Sequence, residues 1–334
     1  MAMINGREVD ERVLDEMERT KWIRVGKTLL KDWRLYALLV PLLVFMLMFK
    51  YFPLTGLLLA FKNYQGGLHA LDMQWYGLYS TQQLFASDQF WTAFRNTFVT
   101  SMYGLVFGFP IPIILALLFS EIKSYGYRSV LQVCSYIPKF LSTVVTTTII
   151  TVWCSNTTGR AGIADSVGLL SKVFITFGWI TQDGKILQQS KFFRPIYEIS
   201  GVWEGAGYGS IVYFAAVLAI SPTNYEAAKI DGASKMQQIR YVTIPGMAPT
   251  LSIMLIMRIG HSLNVGYEKV MLLYTEASYE TADVISTLVT RLAKGNDANP
   301  PQGTAADLMN SVISMVLVLG ANAVSRKVSD TSLF

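Results

Sequence analysis

Asn224-Tyr-Glu-Ala-Ala-Lys-Ile-Asp-Gly-Ala-Ser234, continued by Ile239-Arg-Tyr-Val-Thr-Ile-Pro245, is a polar island between two long apolar runs. Residues 226–231 are rich in helix formers, and Gly232 can carry the backbone through positive φ. The pattern predicts a polar helix, a glycine break and a second short helix. Such a rigid knuckle suits a membrane protein that another subunit moves, because a stiff helix transmits a displacement that a loose loop absorbs.

The runs on either side are long enough to cross a bilayer. A hydrocarbon core about 30 Å thick requires roughly 20 mostly apolar residues per helix, since every backbone polar group must be satisfied inside the segment. Six stretches qualify, at 35–59, 93–119, 130–153, 196–220, 249–273 and 308–324, with prolines at 41, 53, 110, 112 and 138 in or near them. The expected fold is therefore an all-α membrane protein of six transmembrane helices. Composition agrees: 15% of residues are charged, against about 25% in soluble domains, and mean hydropathy is +0.37. The formal net charge of +5 does not indicate nucleic acid, because the basic residues crowd the first 34 positions and are diluted by apolar runs afterwards.

Domain organisation follows from the spans. Residues 1–34 form a leader of mixed charge, 35–325 the membrane domain with the knuckle at 221–246, and 326–334 a tail. The first run is too long, and its leader too acidic and basic, for a cleaved signal peptide. The leader, the 120–129 and 221–246 loops and the residues after 324 hold 15 of the 28 basic residues, so the positive-inside rule puts both termini in the cytoplasm. The leader reads as a surface helix near the membrane. Three outer segments result, at 60–92, 154–195 and 274–307. In the second, Ile163, Val167, Leu170, Phe174 and Phe177 recur at helical spacing, which predicts an amphipathic helix over 162–177.

The knuckle resembles the EAA loop of importer permeases of the ATP-binding-cassette class. Glu226-Ala227-Ala228 is followed after three residues by Gly232 and after nine more by Val242, then by Ile244-Pro245, with Val and Ile replacing the usual Ile and Leu. Tyr51-Phe-Pro-Leu-Thr-Gly56, Phe90-Trp-Thr-Ala-Phe-Arg-Asn-Thr97, Gly266-Tyr-Glu-Lys-Val-Met-Leu-Leu-Tyr274 and Tyr279-Glu-Thr-Ala-Asp-Val-Ile285 look like the LplB-type polysaccharide permeases. The resemblance covers residues 30–325. It implies a type I importer permease of the bacterial inner membrane, with Glu226, Ala227, Ala228, Asp231, Gly232 and Pro245 in the coupling element. It also implies a second permease, expected to be a different chain, two ATPase subunits that carry ATP and magnesium, an extracytoplasmic solute-binding protein and a saccharide cargo. The chain itself is expected to be no enzyme and to hold no cofactor; Gly26-Lys27-Thr28 imitates the end of a phosphate loop, but Lys21 stands where its first glycine belongs.

Sugars stack their C–H faces on aromatic rings while polar groups satisfy the hydroxyls. Trp203-Glu-Gly-Ala-Gly-Tyr208 offers an indole, a carboxylate and a phenol within two turns. Resemblance to maltose-importer permeases implies that Trp203 and Tyr208 contact the sugar; the alternative is an interfacial aromatic belt. Ionisable residues inside spans face a partner or a watery cavity. Arg258 is read as pairing with Glu204 or meeting an acidic substrate such as a uronate oligomer. Lys139 lies near the cytoplasmic end, and Asn264, Tyr267 and Glu268 are weaker cavity candidates. Apart from Glu204 the spans are read as almost free of carboxylates, which disfavours a gradient-driven secondary transporter. A permease for another solute on the same scaffold stays open. His69 and His261 stand alone, without metal-type spacing, and Cys134 and Cys154, read on one helix, lie about 30 Å apart, too far for a disulfide.

Overall fold

The computed structural model describes residues 2–4, 7–9, 28, 31–157, 166–182, 184–294 and 298–328. Among these, four helices are long and apolar enough to cross a membrane: Trp33–Phe61, Asp88–Glu121, Lys235–His261 and Pro300–Arg326. Two bent pairs, Tyr125–Phe140 with Thr143–Trp153 and Ser190–Leu218 with Pro222–Ile230, bring the number to six when each is taken as one span. Five of the six apolar runs of the sequence fall on these elements, and the remaining one, the fifth run at 249–273, does so as far as His261.

The third run is the first departure from a simple bundle. Pro138 lies in the last turn of the Tyr125–Phe140 helix, and Leu141 and Ser142 are extended. The Ser142 hydroxyl then accepts from the Val145 amide at 3.3 Å and starts a new helix, which leaves at 97° to the first. A proline that removes one helical hydrogen bond, followed by a serine that caps the next helix, is enough to fix this break. Cys134 and Cys154 therefore do not share one straight helix. The fifth run is also divided: its helix ends at His261, and Gly266, with extended backbone, begins a separate helix Tyr267–Leu273.

Clustering of the backbone separates residues 1–58 with 67–73 from residues 59–66 with 74–334. In the first unit, Ala2–Ile4 pairs antiparallel with Arg7–Val9, where the leader was read as a helix; the intervening Asn-Gly is the sequence most favoured for two-residue hairpins. The rest of that reading, at residues 10–27, lies outside the described residues. Trp33–Met46 contains Pro41 and buries none of its residues, and a helix apolar on all sides is one that lipid or another chain surrounds.

The second unit has three apolar cores. One gathers Ile150, Phe193, Ile196, Val270 and Leu273, a second Leu84, Phe90, Ile285 and Leu288, and a third Ala116, Tyr213, Val217 and Met247. The amphipathic helix expected over 162–177 is Leu169–Thr176, with Leu170 and Phe174 packed on the first core. Its expected first turns at 162–165 lie outside the described residues, and Val167 sits instead in an isolated bridge with Asn156. Buried polar groups join outer segments to spans: the Asn96 amide donates to the Glu280 and Asp283 carbonyls at 3.0 and 2.9 Å. The Asp283 carboxylate accepts two bonds from the Arg291 guanidinium, at 3.1 and 2.8 Å, and this partner holds Arg291 above its ordinary pKa.

Candidate transport site and coupling knuckle

The polar island folds as a helix, Pro222–Ile230, a break and a second helical start. Gly232 takes φ +76°, the Asp231 amide donates to the Ala227 carbonyl at 3.0 Å and the Ala233 amide to the Ala228 carbonyl at 2.9 Å, so the left-handed residue satisfies the last carbonyls of the helix. Ser234 and Gln237 then close a reciprocal capping box. One expectation is corrected. The second piece is not a separate short helix: it runs through one wide turn at Ile239–Thr243 into the next span, as Lys235–His261. Pro245 follows closely on that wide turn, and the helix continues through it, so it does not close the loop.

Glu226, Ala227, Asp231, Gly232 and Pro245 are exposed and Ala228 is half-buried. Ile230 and Met236 are 87% and 72% exposed, an apolar edge on an otherwise charged element. Two contacts tie the knuckle to its own chain: the Tyr225 and Thr243 hydroxyls lie 3.0 Å apart, and Lys235 pairs with Glu121 at 2.6 Å.

A cavity of about 530 Å³ opens among the helices that precede and follow the knuckle. Glu198, Gly201, Gly205 and Gly209 line it from the Ser190–Leu218 helix, at spacings of three and four residues that put all of them on one face. The absent side chains of those glycines make the space. Lys139, Glu204, Arg258, His261, Asn264 and Lys269 complete its charged and polar lining.

The charge pairing differs from the one read in sequence. Glu204 pairs with Lys269 at 3.5 Å, with both side chains largely buried. Arg258 instead donates to the Gly104 carbonyl at 2.9 Å. Its guanidinium also lies against Gly108, where any Cβ would overlap it. Gly108→Ala is accordingly expected to displace Arg258 while leaving the fold in place, because the obstructing atoms end a flexible side chain; an uptake loss close to that of Arg258→Gln checks this.

Trp203, Tyr208 and Tyr267 are not among the cavity-lining residues. Trp203 and Tyr208 are 43% and 48% exposed, and Tyr208 meets Phe140 edge-on at 6.1 Å. At 100° per residue, Trp203 turns away from the face that carries Glu198 and Gly205, whereas Tyr208 lies on the flank of that face, between Glu204 and Gly201. Glu198 itself is the residue that the sequence reading missed. Its signal was a carboxylate at the head of a row of glycines at helical spacing. No group of three or more His, Cys, Asp or Glu able to hold a metal occurs among the described residues.

A membrane-embedded chain with a charged cavity between its spans, and with a polar knuckle exposed between two of them, has the form of a transport component. The chain belongs to the family described as "Binding-protein-dependent transport system inner membrane component", whose pattern matches residues 108–326. It is thus the permease component of such a system and not itself an enzyme. Protein LplB of Bacillus subtilis is 31% identical over 97% of this chain and 98% of its own length. A permease from the same organism for polygalacturonan and rhamnogalacturonan transport, YteP, is 30% identical over 97% of each chain. Among solved structures, a chain of a bacterial ABC transporter involved in the import of the acidic polysaccharide alginate superposes with a TM-score of 0.80 at 39% identity, covering 92% of this chain and 99% of that one. A chain of a bacterial alginate ABC transporter in complex with its alginate pentasaccharide-bound periplasmic protein gives 0.81 at the same identity.

Proposed function

We propose that this chain is one of two permeases in an importer of acidic oligosaccharides, and that its partner permease is a different chain. The observation that carries the acidic cargo is the charge of the cavity: Lys139, Arg258 and Lys269 face it with only Glu198 and Glu204 to offset them. Two of the most similar proteins, the alginate importer and the polygalacturonan permease, handle polymers of carboxylated sugars by their names. A carboxylate entering the cavity meets a surplus cation, and a charge-assisted contact is stronger than a neutral one.

Glu226 to Gly232 dock on an ATPase subunit, one for each permease. ATP and magnesium stay on those subunits. A loaded binding protein docks at the outer segments, the ATPases close on ATP, and the two knuckles turn the permease pair outward; hydrolysis resets it. In this scheme both termini and the knuckle are cytoplasmic. The Trp203 and Tyr208 rings, exposed in the single chain, face the path shared with the second permease and offer stacking surface to the sugar.

The test is uptake by the assembled importer. Arg258→Gln is expected to lower uptake of a uronate oligosaccharide about tenfold, the size of one lost charge-assisted contact, and to affect a neutral oligosaccharide much less. Equal impairment of both cargoes would defeat the acidic reading.

A further inference from the structure

A second cavity, of about 560 Å³, lies beside the first between the Asp88–Gly108 and Ser190–Leu218 helices. Tyr103 and Phe107 line one wall, Lys191 and Arg194 the other, and Glu198 and Val202 line this cavity as well as the first. The two spaces therefore meet along one turn of helix. Lys191 and Arg194 stand in the first turns of the 29-residue Ser190–Leu218 helix, at the end away from the knuckle.

Three features of this groove point to a ligand. The Tyr103 and Phe107 rings are nearly parallel, 18° apart with centroids at 6.2 Å, and both are about half exposed, so they form a flat platform of the kind a sugar face stacks on. Arg194 is held by one bond, its Nη2 donating to the Asn96 Oδ1 at 2.7 Å. Its Nε is buried and has no hydrogen-bond partner among the described residues, and a buried unpaired donor on a cation costs free energy that an incoming acceptor recovers. Asn96 is in turn fixed by the outer segment through the Glu280 and Asp283 carbonyls. Thr281 of that segment donates to the Ser190 carbonyl at 2.6 Å, so the cations sit where that segment grips the helix.

We infer that this groove is an outer subsite for the same cargo: Lys191 and Arg194 take the carboxylate of one sugar residue while Tyr103 and Phe107 support its ring, and the chain continues past Glu198 into the inner cavity. The inference rests on the acidic-saccharide reading. A lipid phosphate would satisfy the same cations, but the continuity with the inner cavity favours the saccharide.

The experiment uses the complete importer in proteoliposomes, with binding protein and a uronate pentasaccharide. Lys191→Gln and Arg194→Gln are each expected to raise the half-saturating concentration for uptake about tenfold, with Lys191→Arg and Arg194→Lys keeping most of the wild-type value. Binding-protein-stimulated ATP hydrolysis should stay within twofold, which a merely structural defect would not allow. Unchanged uptake in both glutamine variants, with wild type importing the uronate, would overturn the subsite alone. Failure of wild type to import any uronate would remove the acidic reading and the subsite with it. A loss that disappears in vesicles of phosphatidylcholine only would show the groove to hold anionic lipid, and would also overturn it. If Arg194→Gln does not assemble, the exposed Lys191 decides the matter by itself.

Discussion

Replacing Gly232 with valine is expected to abolish ATP-driven uptake while the chain still inserts and accumulates in the membrane. Gly232 sits at φ +76°, a region that costs an L-residue roughly 1–2 kcal/mol and a β-branched one more. No heavy atom lies within 4 Å of a Cβ built there, so the penalty is one of backbone conformation and not of crowding. The chain relieves it by opening the turn. That releases the Ala233 amide from the Ala228 carbonyl and swings the Pro222–Ile230 helix away from the capping box at Ser234. A few kcal/mol at an exposed turn does not unfold a bundle of apolar spans, yet it misaims the surface proposed to dock on the ATPase. Asparagine tolerates this conformation, so Gly232→Asn should retain most of the activity. Uptake, membrane abundance and ATPase co-purification, measured together, separate the cases; normal uptake by Gly232→Val would sink the coupling assignment.

The second large effect is expected at Gly207. A Cβ there would overlap the Ser135 carbonyl and lie 2.9 Å from the Ser135 Cβ, so the Ser190–Leu218 and Tyr125–Phe140 helices meet backbone to backbone at this point. Neither obstruction can swing away, unlike the guanidinium at Gly108. Gly207→Leu forces the helices apart, and overpacking of this kind costs about 3 kcal/mol. The expected result is a fall of several degrees in the apparent melting temperature of the detergent-solubilised protein, with much less of it recovered folded. Gly209, two residues on, is the control: its Cβ would meet Pro112 at an ordinary 3.5 Å, and Gly209→Ala should be nearly neutral. Equal stability of Gly207→Leu and wild type would refute the close crossing.

The spans and the knuckle were legible because their signals are local. Twenty apolar residues and a glycine among helix formers each fix geometry within a few turns. Partner choice across helices is not local. Glu204 and Arg258 were natural partners on paper, and Lys269, in the outer stretch after Gly266, was overlooked; only the break at 262–266 brings it to Glu204. The same holds for Trp203 and Glu198. Sequence supplied the aromatic and the carboxylate, but which faces the cavity depends on the rotation of the helix, which Gly207 against Ser135 sets. The break after Phe140 was legible in part: Pro138 was noted, but a proline inside an apolar run also occurs in unbroken spans, and it is the serine cap behind it that turns the chain.

The Pro110–Glu121 helix joins the two ends of this machine. Glu121 holds Lys235 at the knuckle, while Pro112 lines the inner cavity and Gly108, just before the helix, bears the Arg258 guanidinium. Twelve residues of helix span about 18 Å, without a hinge between them. The Lys235–Glu121 pair is solvent-exposed and by itself worth at most about 1 kcal/mol, so it works as a bearing and not as a weld. Under the proposed coupling, motion at the knuckle meets a pushrod whose far tip rests beside Arg258, and the stroke there is set by geometry more than by the strength of any single contact.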